Sequence, residues 1–280
     1  MIVLEDRKSL NDWVEQSRLR GGKVGFIPTM GALHEGHLSL VREARKSCSQ
    51  TIVSIFVNPT QFGPGEDFDQ YPRTFVEDKA LLEDISCDAI FLPSPEVIYP
   101  PGGQTFITVE PLASQLCGAS RPGHFQGVAT VVTILLNLVR PHAAYFGVKD
   151  YQQLTLIKQM VRDLALAVEV VGVPIVREKD GLALSSRNRY LTTEERKQAA
   201  ALYKALCTAK SLYKDGELRA KELEQAARGV LLESGIEQID YVEVRDKEKL
   251  TSELTADDPV MLIAARVGKT RLIDNMVLST

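Results

Sequence analysis

Short apolar runs alternate with amphipathic stretches through the first two-thirds of the chain. Lys23-Val-Gly-Phe-Ile-Pro28 is apolar and runs into Pro-Thr-Met-Gly, the pattern of a buried strand entering a loop. Between His37 and Lys46, apolar residues recur at Leu38, Leu40, Val41 and Ala44 with charges between them, which predicts a helix. Thr51–Val57 is continuous and β-branched, a central strand stopped by Asn58-Pro59. Asp88–Pro93 and Ala143–Gly147 read as two further strands, each preceded by a helical stretch, Val76–Ile85 and Gly127–Leu138. Leu154–Leu164 is helical again, and Ala167–Val171 follows it as a strand. Strands alternating with helices imply a mostly parallel, doubly wound, Rossmann-like α/β sheet with helices on both faces. In that architecture ligands collect at the carboxyl ends of the strands.

The last third changes character. Thr193–Tyr213 and Glu217–Ser234 are charged and alanine-rich with an apolar face, so they read as two surface helices. Asp240–Arg245, Val260–Ala265 and Thr270–Leu278 read as strands of a small separate sheet, giving a smaller C-terminal α+β domain. The crossing falls between Val173 and Tyr190, so domains of 1–175 and 176–280 are expected, with Gly181–Arg189 beside the cleft between them.

Composition narrows the function classes. Among 280 residues, 44% are hydrophobic and 25% charged, the balance of an ordinary globular protein. Thirty-three basic residues against thirty-seven acidic ones give a net charge of −4, so no positive field draws nucleic acid or an anionic membrane. Val128–Val139, the longest apolar stretch, is too short to span a bilayer. The first eight residues place charges where a secretion signal needs an apolar core, which leads us to expect a cytoplasmic protein. Cys48, Cys87, Cys117 and Cys207 are widely spaced and read as small core residues. Of the four histidines, His34 and His37 lie three residues apart.

Four segments could carry chemistry. Pro28-Thr-Met-Gly-Ala-Leu-His-Glu-Gly-His37 is a strand end, a glycine-containing loop and a helix start. A helix N-terminus offers unpaired N–H groups and partial positive charge to phosphate oxygens, and Gly31 and Gly36 let backbone approach a bulky anion. Two imidazoles from the first turn can donate to a phosphate and offset charge as pyrophosphate leaves; the plain alternative is two capping histidines. The spacing is not the His-Glu-x-x-His of zinc proteases. In Phe146-Gly-Val-Lys-Asp-Tyr-Gln-Gln153, Lys149 can meet a phosphate and Asp150 can accept from ribose hydroxyls, although Asp150 is equally suited to cap the following helix. Asp180-Gly-Leu-Ala-Leu-Ser-Ser-Arg-Asn188 gathers donors for a polyphosphate, or is a serine-rich turn before the Thr192/Thr193 helix start. In Phe56-Val-Asn-Pro-Thr-Gln-Phe62, Asn58 and Gln61 can orient a small hydroxy acid without a salt bridge. Gly268-Lys-Thr270 lacks the earlier glycine of a phosphate-binding loop and reads as a strand-to-strand turn. The pairs Asp257/Asp258 and Glu194/Glu195 read as loop or helix-start carboxylates that are solvated or help the helix dipole.

Together these segments resemble the pantoate–β-alanine ligase family, the pantothenate synthetases. The resemblance runs through Pro-Thr-Met-Gly-x-Leu-His-x-Gly-His, Phe-Val-Asn-Pro-x-Gln-Phe, Arg121-Pro-Gly-His124, Lys149-Asp-Tyr-Gln-Gln153 and Arg177-x-x-Asp-Gly-Leu-Ala-Leu-Ser-Ser-Arg-Asn188. His-x-Gly-His alone marks a wider superfamily of nucleotidyltransferases and class I aminoacyl-tRNA synthetases; five blocks in order are far more specific. Val148 stands where that segment of the family leads us to expect a polar residue.

The resemblance implies adenylation of pantoate by ATP with Mg²⁺, then attack by β-alanine to give pantothenate and AMP. It implies that Met30, Gly31, His34 and His37 meet ATP, with His37 the proton donor. Lys149 would stabilise the α-phosphate, Gly147 and Asp150 would hold the ribose, and Val148 would contribute backbone. Val176 would meet adenine through its main chain, and Leu184, Ser185, Ser186 and Arg187 would close on the β- and γ-phosphates as the C-terminal domain covers the ATP site. Gln61, Gln153 and Asn58 would grip pantoate, with Met30 and Phe146 packing on its methyls, and Gly63–Pro72 would gate the adenylate from water. A homodimer is also implied. The rival readings are another adenylyltransferase of the superfamily and a non-catalytic nucleotide sensor; a transfer-RNA-charging fragment conflicts with the negative charge.

Overall fold

A computed structural model describes residues 1–253 and 258–279 of the chain, so Asp257 lies outside the described residues. The chain divides into two compact units, residues 1–148 with 156–174, and residues 149–155 with 175–280.

The first unit is built on a six-stranded sheet. In chain order it contains β1 (Ile2–Leu4), α1 (Arg7–Leu19), β2 (Val24–Thr29), α2 (Glu35–Ser47), β3 (Gln50–Ile55), α3 (Phe75–Asp84), β4 (Ala89–Phe91), the short helices α4 (Pro95–Ile98) and α5 (Cys117–Ser120), α6 (His124–Val139) and β5 (Ala143–Gly147). Helix α7 (Tyr151–Asp163) then leads to β6 (Glu169–Val173). The strand order is β1-β4-β3-β2-β5-β6 and every pairing is parallel. From β2 the chain proceeds through β3 to β4 on one side, then returns to lay β5 and β6 on the other. The strand order therefore reverses between β2 and β5, where an open parallel sheet leaves a crevice at its carboxyl edge. Val24–Ile27, Thr51–Ile55 and Ala143–Phe146 are buried throughout, which is why they read as continuous apolar runs rather than alternating ones.

The second unit continues with α8 (Thr193–Ala199), α9 (Ala201–Lys214), α10 (Ala220–Glu233) and the antiparallel strands β7 (Ile239–Asp246), β8 (Pro259–Val267) and β9 (Thr270–Val277) in the order β7-β8-β9. Leu202, Leu206, Leu223 and Leu231 from the helices share one core with Met261, Ile263 and Leu272 from the sheet. The small α+β domain expected from the sequence is thus present. Gly268 and Lys269 form the tight β8–β9 turn, with Val267 paired to Thr270 and Gly268 at φ +55°.

Several elements differ from expectation. Neither β1 nor α1 was anticipated. Helix α1 starts where Asp6 accepts the Ser9 N–H at 2.8 Å, and buries Leu10, Trp13, Val14 and Ser17 along one face. The single helix expected over Thr193–Tyr213 is two, because the backbone tightens at Ala200 (ψ −18°). Strand β6 begins at Glu169 rather than Ala167, since Ala165 takes a left-handed turn (φ +49°) after α7.

One close approach constrains the first unit. Helix α6 packs on a 3-10 turn, Pro59–Gln61, through Gly127, whose added Cβ would stand 2.4 Å from the Thr60 carbonyl oxygen and 2.7 Å from the Gln61 nitrogen. Both neighbours are backbone and cannot rotate away. Gly127→Ala is expected to lower unfolding stability by about 2 kcal/mol, read as a lower urea midpoint at unchanged slope.

Candidate functional site

The crevice edge between β2 and β5 is shaped by main chain. The Thr29 hydroxyl donates to the Ser54 carbonyl at 2.7 Å and accepts the Gly31 N–H at 3.2 Å, tying the end of β2 to β3. Gly31 (φ +82°) and Ala32 (φ +50°) then turn the chain through left-handed conformations. Glycine meets the first of these without strain; alanine at the second needs outside support. Asp78 supplies it from α3. Its carboxylate, 1% exposed, accepts the N–H groups of Ala32 (2.9 Å) and Leu33 (2.7 Å) and the Thr74 hydroxyl (3.2 Å).

Helix α2 leaves this turn with His34 as its N-cap. His34 Nδ1 accepts the Gly36 N–H at 3.1 Å, and His37 Nδ1 accepts the His34 N–H at 3.4 Å, with the two rings 4.1 Å apart. The capping weighed from the sequence is therefore real, and it fixes how each ring can donate. An imidazole that accepts at Nδ1 carries its proton at Nε2 when neutral, so capping fixes each ring as an Nε2–H donor.

Behind β3, the Asn58 amide is 1% exposed and engaged within the protein. It donates to Gln61 Oε1 (3.1 Å) and the Gly127 carbonyl (3.2 Å), while its oxygen accepts from the hydroxyls of Tyr99 (2.8 Å) and Thr60 (3.0 Å). This network fixes the amide of Gln61, whose Nε2 faces the Met30 sulfur at 3.0 Å. Gln61 and Met30, two expected pantoate contacts, are thus brought together, and Asn58 positions Gln61 from behind. Phe146, 4% exposed, and Gly147 end β5; a Cβ on Gly147 would meet nothing within 4 Å, so the strand end is open on that side. Val148 begins a 3-10 turn, Val148–Asp150, that leads into α7, so Asp150 lies in that turn ahead of the helix.

In the second unit, β9 joins the two remaining segments. Asn275 donates to the Lys149 carbonyl at 2.9 Å. Its neighbour Asp274 binds Arg177 at both oxygens, at 2.6 and 2.9 Å, and Arg177 also donates to the carbonyls of Gly181 (2.9 Å) and Asn275 (3.3 Å). Burial pushes the Asp274 carboxyl upward while Arg177 pulls it back. The Arg177 guanidinium lies 4.5 Å from the Tyr203 ring centre, and Gly181 (φ +93°) is required there because a Cβ would strike that ring. Leu184 N–H donates to the Val176 carbonyl at 3.0 Å, and Ser185 Oγ caps the 3-10 turn Ser186–Tyr190 by accepting the Arg187 N–H at 3.3 Å. Lys149 and the Leu184–Arg187 loop therefore share one support on β9. Gln153 sits half-buried on the first turn of α7.

Asp78, Gly127, Asp274 and Asn275 escaped the sequence reading. Each acts through a contact distant in sequence, and a lone acid, amide or glycine carries no local signal of that.

A parallel sheet whose order reverses beside a glycine-bearing loop and a histidine-capped helix start defines an α/β protein whose crevice edge is suited to an anionic ligand. The chain belongs to the pantoate–β-alanine ligase family, whose model matches residues 2–277. The pantothenate synthetase of Magnetococcus marinus is 57% identical over 280 residues, covering 99% of this chain and 96% of that one. That of Thermotoga neapolitana is 52% identical, covering 99% and 100%. The crystal structure of pantothenate synthetase from Thermus thermophilus superposes with a TM-score of 0.94 at 45% identity over the whole of both chains. The Francisella tularensis pantoate–β-alanine ligase, crystallised with β,γ-ATP and β-alanine, gives 0.82 at 36% identity, covering 100% of this chain and 98% of that one.

Asp78 provides a direct test of how the loop is held. Asp78→Ala strands two buried N–H groups, and we expect a loss of about 3 kcal/mol in urea unfolding together with at least a tenfold rise in KM for ATP.

Proposed function

We propose that the protein joins pantoate to β-alanine at the expense of ATP, giving pantothenate, AMP and pyrophosphate through a pantoyl adenylate. The observation that carries the reading at the site is the pair of capped imidazoles at the start of α2, each set as an Nε2–H donor where a phosphate would lie. The family supplies the identity of the acid and the amine.

The chemistry follows from the leaving groups. A carboxylate attacked directly by an amine would have to expel oxide. Attack of a pantoate carboxylate oxygen on the α-phosphorus instead expels pyrophosphate, and the amine of β-alanine then displaces AMP from the acyl carbon. Positioning and charge stabilisation carry most of such a rate. In this reading His34 and His37 donate to the departing phosphates, and Lys149 offsets charge on the α-phosphate. Asp150 and Gly147 hold the ribose, and Val176 meets adenine through its main chain. Ser185, Ser186 and Arg187 take the outer phosphates, with Met30, Gly31, Val148 and Leu184 contributing contacts. Gln61 and Gln153 hold pantoate, whose methyls pack on Met30 and Phe146.

Among the described residues no three His, Cys, Asp or Glu side chains gather into a metal cage. In this reading a magnesium ion would arrive on the nucleotide, held by phosphate oxygens and water, and bound there it would neutralise the outer phosphates. A homodimer and a cytoplasmic location belong to the same reading. Both rest on the family to which the chain belongs. Among the described residues no helix is long and apolar enough to cross a membrane.

The test is pyrophosphate release from ATP and magnesium with pantoate, with and without β-alanine. Release that depends on pantoate, and turns over with formation of pantothenate and AMP once β-alanine is added, establishes the ligase. Folded, ATP-binding protein that releases none with pantoate rejects the substrate. Lys149→Ala should slow adenylation by about 100-fold or more with an unchanged circular dichroism spectrum; normal release in that variant removes its role. Gln153→Ala should raise KM for pantoate far more than KM for ATP, and equal effects on the two would place Gln153 elsewhere.

A further inference from the structure

Beside Gln61 lies a cation to which the reading above gives no task. Arg121 donates to both oxygens of Glu66, from Nε at 2.7 Å and from Nη2 at 2.6 Å. Nη2 also reaches the Gln61 carbonyl at 3.4 Å. His124, on the first turn of α6, donates from Nδ1 to that same carbonyl at 2.8 Å, and its Nε2 then accepts from Arg121 Nη1 at 3.0 Å. The tautomer is consistent around the ring: a proton on Nδ1 for the carbonyl, a lone pair on Nε2 for the guanidinium. One side of Arg121 is thereby pinned to His124. The Nε/Nη2 edge, the fork that matches a carboxylate, is held out to Glu66.

The side chains are only 14% and 25% exposed for Arg121 and Glu66, so this is not a loose surface pair. Desolvation pushes the Glu66 carboxyl upward, and hydrogen bonding and charge from Arg121 more than reverse it, leaving the group below its ordinary range. Glu66 belongs to a segment that leaves the Gln61 turn through Gly63-Pro64-Gly65, with Gly65 at φ +79°.

The ligase reading leaves one recognition problem open. The carboxylate of β-alanine is untouched by the reaction, yet it is the feature that separates this substrate from any other primary amine. Gln61 and Asn58 are uncharged and cannot select an anion by charge. Arg121 is charged, fixed in orientation and in contact with the residue expected to hold the acyl donor.

We propose that Arg121 is the binding site for the carboxylate of the amine substrate, which replaces Glu66 on the Nε/Nη2 edge and so sets the amine, two methylenes away, toward the acyl group beside Gln61. Glu66 holds that edge until the substrate carboxylate displaces it to water. The inference rests on the ligase reading and deepens it.

The experiment compares β-alanine with β-alaninamide, the neutral isostere, as acceptor, and uses pantoate-dependent exchange of pyrophosphate into ATP to follow the first half-reaction separately. Arg121→Ala is expected to lower kcat/KM for β-alanine about 100-fold, the scale of a lost charged hydrogen-bonded pair. Use of β-alaninamide should stay within about threefold, so the preference for the acid collapses. Equal losses with both amines would make Arg121 a support for Gln61 and overturn the proposal, as would an undiminished preference. If Arg121→Ala does not fold, Glu66→Gln decides: freeing the edge should lower KM for β-alanine several-fold without moving that for β-alaninamide, whereas a higher or unchanged KM for β-alanine overturns it. Wild-type protein without pantoate-dependent exchange would instead remove the ligase reading, and this inference with it.

Discussion

The crevice edge of the first unit depends on one buried carboxylate. Asp78 reaches from α3 to the N–H groups of Ala32 and Leu33, just where two consecutive residues take left-handed conformations. Left alone, such a turn would relax, because an alanine gains nothing from positive φ. Two charge-assisted hydrogen bonds in a site shielded from water hold it. The turn leads directly into α2, with His34 as its cap and the His37 ring 4.1 Å away and tilted by 36°. A glycine at 31 is needed for the same reason, since a Cβ there would come within 3.0 Å of an Asp78 oxygen.

Each histidine is a cap in the structure and, in the proposed function, a phosphate donor as well. Nδ1 is occupied by a backbone N–H, which closes a helix end and settles where the ring proton resides. The same economy recurs at His124, where the opposite tautomer is enforced because its Nδ1 faces a carbonyl rather than an N–H. The tautomers of three imidazoles are thus set by main-chain partners at Nδ1. In the second unit the equivalent role falls to an ion pair. Arg177 and Asp274 gather the 176–187 loop onto β9 beside the residue that holds Lys149, and the stacked Tyr203 and the bare Cα of Gly181 leave the pair a single arrangement.

Much of this was legible in the chain. Continuous β-branched runs marked β2, β3 and β5 because both faces of a parallel sheet are covered, so burial leaves no alternation to misread. The Asp240–Leu278 strands and their Gly268 turn were equally plain. Less legible were the short or end-tuned elements. Strand β1 has three residues and gains its existence from pairing with β4. Helix α1 is half polar and is fixed by contacts its sequence does not advertise. The break at Ala200 lies within a run of good helix formers, where no residue announces a stop. The Asn58 amide read as a substrate contact, but burial turned its hydrogen bonds inward onto Gln61.

The sequence by itself determined the alternation of strands and helices, the two-part organisation, and the order of motifs that places the chain among pantoate–β-alanine ligases. These are local or colinear properties, carried by periodicity and by residues close together in the chain. Tertiary structure alone decided which groups hold the motifs in shape. Asp78 on the Ala32 turn, Gly127 under the Thr60 carbonyl, Asn275 on the Lys149 carbonyl and Arg121 against Glu66 each join segments from 46 to 126 residues apart. Such contacts depend on where the sheet brings distant chain together, and a single side chain does not encode its partner.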